Sequence, residues 1–144
     1  MEEQFGQFGE RSWSERKCAA IEADCAVQPE GVLVAEIQQE IVGYITIRFD
    51  TPSAIGWIAN LAVAPHCQGS GIGRALLNEG IALCRDNGMQ IVKIETLEHN
   101  EVGRHLYPSL GFTELARQVH YALDLRSFPQ SSFPAHEISR PSAD

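Results

Sequence analysis

The chain is short of positive charge. Lysine and arginine together number 11 against 19 aspartates and glutamates, giving a formal charge of −8 at neutral pH. Lysine itself occurs only at Lys17 and Lys93. Nucleic-acid binding rests on Lys and Arg clustered on one face, so that class is excluded. A cationic or amine-bearing partner is the kind an acidic surface attracts. Long apolar runs are also missing: none approaches the roughly 18 to 20 residues that cross a bilayer, and no membrane partner is expected. The opening MEEQFGQFGE has no basic segment followed by an apolar one, which is the mark of a secretory signal. The expectation is a soluble, cytoplasmic protein. Cys18, Cys25, Cys67 and Cys84 have neither C-x-x-C spacing nor clustered histidines around them. That argues against a metal site and for free thiols in a reducing compartment.

What is present suffices for one domain with a real core, since the chain has 144 residues. Residues 1 to 9 are polar and expected to fray, and a helix is expected from Glu10 to about Asp24. After the turn at Gln28–Gly31, the apolar run Val32–Ile37 and the alternating run Ile41–Phe49 read as strands. The short link between them predicts an antiparallel hairpin. A strand over Ala54–Val63, a helix over Gly71–Asn87 and a strand over Ile91–Leu97 make a right-handed parallel βαβ unit. A second helix is expected over Asn100–Leu110, with Pro108 in its last turn and Gly111 closing it. Two short extended pieces follow within Phe112–Leu125. The expected domain spans residues 1–126, and the Ser- and Pro-rich remainder, 127–144, reads as a disordered tail.

The most informative stretch lies between the third strand and its helix. Gln68-Gly69-Ser70-Gly71-Ile72-Gly73 follows the strand ending Leu61-Ala62-Val63 and runs into Arg74 and the helix. A glycine-rich turn at a helix N-terminus aims several backbone N–H groups at one point, where the helix dipole also favours an anion. The ligand is neither of the two commonest. A dinucleotide site needs G-x-G-x-x-G, but Arg74 or Leu76 stands where the last glycine should be; a nucleotide P-loop needs a lysine that this loop lacks. Cys67 precedes the loop by one residue and is a candidate reactive thiol on position alone.

The spacing Q-x-x-G-x-G after such a strand resembles the acetyl-coenzyme A pyrophosphate loop of the GNAT family of N-acetyltransferases, in particular small bacterial-type members. A second block carries the resemblance independently. Asn100, Leu106, Tyr107, Gly111 and Phe112 match N-x-x-A-x-x-L-Y-x-x-x-G-F position by position, with Gly103 in place of the alanine and Pro108 as a departure. The match covers about residues 32 to 125. It implies an α/β (α+β) fold: a mixed, mostly antiparallel twisted sheet, flanked by helices. Two parallel strands, Ala54–Val63 and Ile91–Leu97, would split apart in a V at their C-terminal ends.

For function, the resemblance implies transfer of acetyl from acetyl-CoA to a primary amine in a ternary complex, without metal or covalent enzyme intermediate. Gln68 to Arg74 would hold the pyrophosphate, and Asn100 the pantetheine arm. Tyr107 would lie by the thioester sulfur, and backbone N–H groups of Leu61, Ala62 and Val63 would face the carbonyl oxygen. An amine attacks only when neutral, so a base must take its proton; either Glu95 or an ordered water fills that role. Glu95 could instead pair with Lys93, Asn100 could simply cap a helix, and Tyr107 could be a core aromatic. Only 31 residues precede the Val32 strand, fewer than family members carry. The acceptor side is then either abbreviated or completed by a second subunit, as in a homodimer. The alternative reading is a catalytically silent CoA-binding or regulatory module of the same fold.

Overall fold

In a computed structural model of the chain, residues 11–127 are described. The expected frayed N-terminus and most of the expected tail lie outside them. Two compact units are present. The first, Gly9–Glu114, holds every helix and strand described below. Residues 115–127 of the second contain a turn at Leu125–Ser127, where Arg126 pairs with Asp124 at 2.8 Å.

Helix α1 runs over Trp13–Val27. It begins three residues later than the pattern predicts because Ser12 caps it. The Ser12 hydroxyl accepts the Glu15 N–H at 3.3 Å, and the Glu15 carboxylate accepts the Ser12 N–H at 2.7 Å, a reciprocal capping box. The helix continues to Val27, two residues short of Pro29. The chain then makes a single 3₁₀ turn, Pro29–Gly31, into the sheet. Gly31 is there for space: a Cβ on it would sit 2.0 Å from the Ile47 carbonyl oxygen.

Strands β1 (Val32–Ile37) and β2 (Glu40–Asp50) form the expected antiparallel hairpin. Its link is a two-residue turn with Gln38 and Gln39 both at positive φ, 51° and 68°, the handedness that matches strand twist. Strand β3 (Ile55–Val63) pairs antiparallel with β2, and β4 (Ile91–Ile94) pairs parallel with β3. The sheet order is β1-β2-β3-β4, mixed and mostly antiparallel as expected.

Two expectations fail. The last strand stops at Ile94 rather than Leu97, so Glu95, Thr96 and Leu97 lie outside the ladder. The reason is a bulge: Thr46 pairs with Asn60 while Ile47 pairs with Ile58, leaving Ala59 extra on β3. A bulge bends its strand and increases the twist. Ile58 is also the last β3 residue that β4 meets. Second, residues 112–124 form no strand; alternation becomes a strand only through a ladder, and these residues join none.

Helix α2 (Ile72–Asp86) buries Leu76, Leu77, Gly80 and Cys84 against one sheet face. Leu76, Leu77 and Cys84 together with Ile45, Ile47 and Ile58 form the core. Close approach depends on small residues: a Cβ on Gly80 would meet both Ile45 and Ile47 at 3.0 Å, and one on Gly56 would meet the Cys84 sulfur at 2.5 Å. Helix α1 lies on the opposite face, where Thr46, Arg48 and Asn60 project. Helix α3 spans Glu101–Ser109 with Pro108 inside it, and Gly111, at φ 92°, turns the chain out of it. No helix among the described residues is long and apolar enough to cross a membrane.

Candidate active site

The loop between β3 and α2 has the conformation its glycines suggest. Gly69 and Gly71 adopt φ 79° and 89°, and a Cβ on either would meet nothing within 4 Å. Both are therefore needed for backbone conformation, not for room. The Gln68 side chain folds back to donate to the Val63 carbonyl at 3.1 Å, and Ser70 donates to the Cys67 carbonyl. Gly71 is the N-cap of α2 and supplies no side-chain acceptor. By contrast, Ser12 caps α1 and Asn100 caps α3. The first N–H groups of α2, from Ile72 to Arg74, therefore have no intrahelical partner, and the helix dipole adds to their pull on an anion. Arg74 donates to the Ser109 hydroxyl at 2.7 Å, tying the start of α2 to the end of α3.

Beside this loop lies the gap opened by the bulge. Leu61, Ala62 and Val63 remain paired to β2 but lie beyond the last β4 partner. The backbone edge they turn away from β2 belongs to no ladder in this sheet. An apolar groove of about 480 Å³ between β1 and α2, lined by Leu33, Ala35 and Leu76 among others, belongs to the opposite edge of the sheet.

Asn100 is the N-cap of α3 and Tyr107 lies in its last turns. The Asn100 Oδ1 accepts the Gly103 N–H at 3.1 Å, and its Nδ2 donates to the Thr96 hydroxyl at 2.8 Å. Asn100 is thus a helix cap, as one of the two sequence readings had it. Tyr107 packs against the core and meets Phe112 edge to face, with ring centroids 6.0 Å apart. Burial pushes the phenol above its ordinary value. Gly103 makes this cluster possible: a Cβ there would lie 2.7 Å from the Tyr107 ring and 2.8 Å from the Asn100 amide nitrogen. The alanine of the family pattern would not fit this arrangement unshifted.

Glu95 leaves the end of β4 exposed and paired with Lys93 at 2.7 Å. Lys93 and Arg48 both lie over the Trp57 ring, 5.9 and 5.0 Å from its centroid. A polar network on the α1 face went unforeseen. Asn60 donates to Thr46 at 2.8 Å and to Asp24 at 3.1 Å, Lys17 donates to Asn60 at 2.5 Å, and Arg48 pairs with Asp24. The alternation of Thr46 and Arg48 along β2 was visible in the sequence, but their partner Asn60 reaches this face only through the bulge. Cys67 is partly exposed and Cys84 buried. No group of three or more side chains able to hold a metal ion occurs among the described residues.

The model of the acetyltransferase (GNAT) family matches residues 1–112. The chain belongs to this family. Among GNAT relatives, it is 33% identical over 110 residues to a mycothiol acetyltransferase of Thermomonospora curvata, a match covering 76% of this chain and 37% of that protein. It is 32% identical over 99 residues to the uncharacterized N-acetyltransferase YhfO of Bacillus subtilis, covering 65% and 66% respectively. The structure of Ard1 from Thermoplasma volcanium superposes with a TM-score of 0.64 at 26% identity, covering 68% of this chain and 66% of that one. The chain spans only 37% to 39% of the length of three mycothiol acetyltransferases that it matches. The GNAT fold thus accounts for the glycine loop and the interrupted β3–β4 ladder together.

Proposed function

We propose that this GNAT chain transfers the acetyl group of acetyl-CoA to a primary amine by direct attack. The observation that carries the reading is the joint presence of three features: a helix N-terminus after the glycine loop with no side-chain cap, a stretch of β3 beyond its last β4 partner, and a half-buried tyrosine on α3. Backbone N–H groups from Gly69 to Arg74 would hold the pyrophosphate, with Gln68 and Ser70 fixing the loop. The β4-side backbone edge at Leu61–Val63, beyond the last β4 partner, would take the pantetheine arm and offer an N–H to the negative charge that grows on the carbonyl oxygen. Asn100 keeps one amide hydrogen and one lone pair beyond its cap and Thr96 bonds, which leaves it able to touch the same arm.

As the N–C bond forms and the C–S bond breaks, two protons must move. The amine proton goes to Glu95 or to an ordered water, and Tyr107 gives its proton to the departing sulfur. The raised phenol keeps Tyr107 protonated across neutral pH, as a donor requires. No step needs a metal ion or a covalent enzyme intermediate. The acceptor is an amine, and an amine panel must identify it. A homodimer is the assembly this reading allows, and the cytoplasm is the compartment the composition suits.

One observation favours the alternative of a silent CoA-binding module: Glu95 is engaged by Lys93. Thiol release from acetyl-CoA across a panel of amines separates the two readings. Turnover with at least one amine supports the enzyme; tight acetyl-CoA binding with no release from any amine supports the module. Gly71→Asp serves as the control, since its carboxylate would stand where the diphosphate must sit. CoA affinity equal to wild type in that folded variant would remove the loop assignment.

A further inference from the structure

Both lysines of this chain reach the sheet face that α1 covers, although the formal charge is −8. Lys17 comes from α1 and donates to Asn60. Lys93 stands on β4 beside Trp57 of β3, which in turn stands opposite Arg48 of β2. The Lys93 ammonium and the Arg48 guanidinium lie 5.9 and 5.0 Å from the centroid of the half-buried Trp57 ring, within the range of cation–π attraction. Their carboxylate partners differ. Arg48 pairs with Asp24, whose side chain is only 13% exposed. Lys93 pairs at 2.7 Å with Glu95, and there both side chains are nearly half exposed, 46% and 45%. An exposed pair of this kind contributes little and opens readily. Trp57 and Lys93 precede the last β3–β4 pair by one residue, and Glu95 is the first residue past the end of β4. The exchangeable ion pair therefore sits where the two strands part.

We propose that the acceptor amine carries an oxyanion, a carboxylate or a phosphate, which takes the place of Glu95 on Lys93. The inference rests on the reading of the chain as an acetyltransferase with Glu95 as the base for the amine. With the diphosphate at the N-terminus of α2, the acceptor is left the opposite face of the sheet. There Lys93 and Arg48 offer positive charge held against Trp57. A carboxylate beside an ammonium is a weaker base than one released from it, so Glu95 takes up the amine proton best once Lys93 has a new counter-ion. Binding of the acceptor is thus what frees the base. As the N–C bond forms and the C–S bond breaks, the amine proton passes to Glu95 and the sulfur takes one from Tyr107; exchange with solvent resets both. Glu95 is neutral after the transfer, while Lys93 keeps a counter-ion in the acceptor. An acceptor without the oxyanion would leave Lys93 unpaired as the proton moves.

The test compares matched amines on the full chain by thiol release from acetyl-CoA: phosphoethanolamine with ethanolamine, and amino acids with their carboxamides, each pair at equal concentration of neutral amine. In at least one pair kcat/KM should favour the charged member by about 10- to 100-fold, the worth of a hydrogen bond between charged groups. The phosphate and carboxylate arms tell which oxyanion is taken. Lys93→Gln should abolish the preference, and Lys93→Arg, which keeps the charge, should restore most of it. Glu95→Gln removes the competing carboxylate, so KM for the charged member should fall by up to about fivefold while kcat also falls; an unmoved KM overturns the exchange. Trp57 fluorescence, the component that vanishes in Trp57→Phe, gives a readout without turnover. With CoA bound it should respond to the charged member of the preferred pair and not to its neutral partner, and Lys93→Gln should abolish the response. Equal kcat/KM within every pair, a preference that survives Lys93→Gln, or the same Trp57 response to both members overturns the oxyanion site and leaves the acetyltransferase standing. Absence of thiol release from every amine, with acetyl-CoA bound, overturns the acetyltransferase reading and this acceptor assignment with it.

Discussion

Replacing Gly103 by alanine adds a single methyl group, yet it should separate catalysis from stability. The new Cβ would lie 2.7 Å from Tyr107 Cε2, 2.8 Å from Asn100 Nδ2 and 3.2 Å from Asn100 Cγ. Carbon atoms settle at about 3.5 to 4.0 Å, so the ring must retreat by about 1 Å or the cap must open. Against this, alanine gains up to about 1 kcal/mol over glycine in a helix, while overpacking costs about 1 to 3 kcal/mol. The two nearly cancel, and the net destabilisation should be no more than about 2 kcal/mol by urea unfolding. Catalysis has no such offset, because a displacement of about 1 Å at a reacting group can cost about a hundredfold. We expect kcat to drop about 10- to 100-fold while the protein stays folded. A Gly103→Ala protein with kcat within twofold of wild type would refute the argument, since Tyr107 and Asn100 would then be free to shift without consequence.

Three further outcomes follow from other sites. Gly31→Ala should cost about 3 kcal/mol or more, because its Cβ would sit 2.0 Å from the rigid Ile47 carbonyl oxygen; a midpoint of unfolding near that of wild type would show that the strand entry gives way. Cys84 is fully buried and burial pushes its thiol up, so in the native protein it should resist alkylation while exposed Cys18 reacts. Its folded value stands above the unfolded one, so its contribution to stability is complete below about pH 8.5 and is lost as pH rises through the folded value. Cys84→Ala should abolish that alkaline slope whatever it does to absolute stability. Glu95→Gln should slow turnover near neutral pH and regain part of it at higher pH, where more amine arrives neutral; a wild-type pH profile would assign the amine proton to water instead.

The sequence made the elements legible wherever the signal is local. Gly69 and Gly71 stand where the backbone needs positive φ, Pro29 follows the end of α1, and the alternation along β2 marks which side chains face α2. What stayed hidden depends on pairing between distant segments. Ile91 to Leu97 alternates without interruption, so nothing in it says that the ladder ends at Ile94. The apolar pattern of residues 112–125 likewise carries no information about a partner strand. Gly103 looked like a small residue in a position that takes small residues; only the placement of Tyr107 and Asn100 around it shows that even alanine crowds them. Thr96 was passed over because a lone threonine after a strand has no periodic or motif signal, and its bond to the Asn100 side chain appears only in the structure.

Ala59 ties several of these together. Without the extra residue, the alternation of β3 would put Asn60 on the α2 face with Gly56 and Ile58, where an amide would be buried among isoleucines and leucines at a cost of about 1 to 3 kcal/mol. With it, Asn60 comes opposite Thr46 and finds Asp24 and Lys17 from α1. Leu61 and Val63 return to the apolar side, opposite Ile45 and Gly43. The same insertion stands next to the last β3–β4 pair, so one residue both secures α1 to the sheet and parts the two parallel strands. The gap is therefore not a weakness left by poor pairing. It is held open by a register shift that the core side of β3 requires, and that is why a narrow site can persist in a sheet of only four strands.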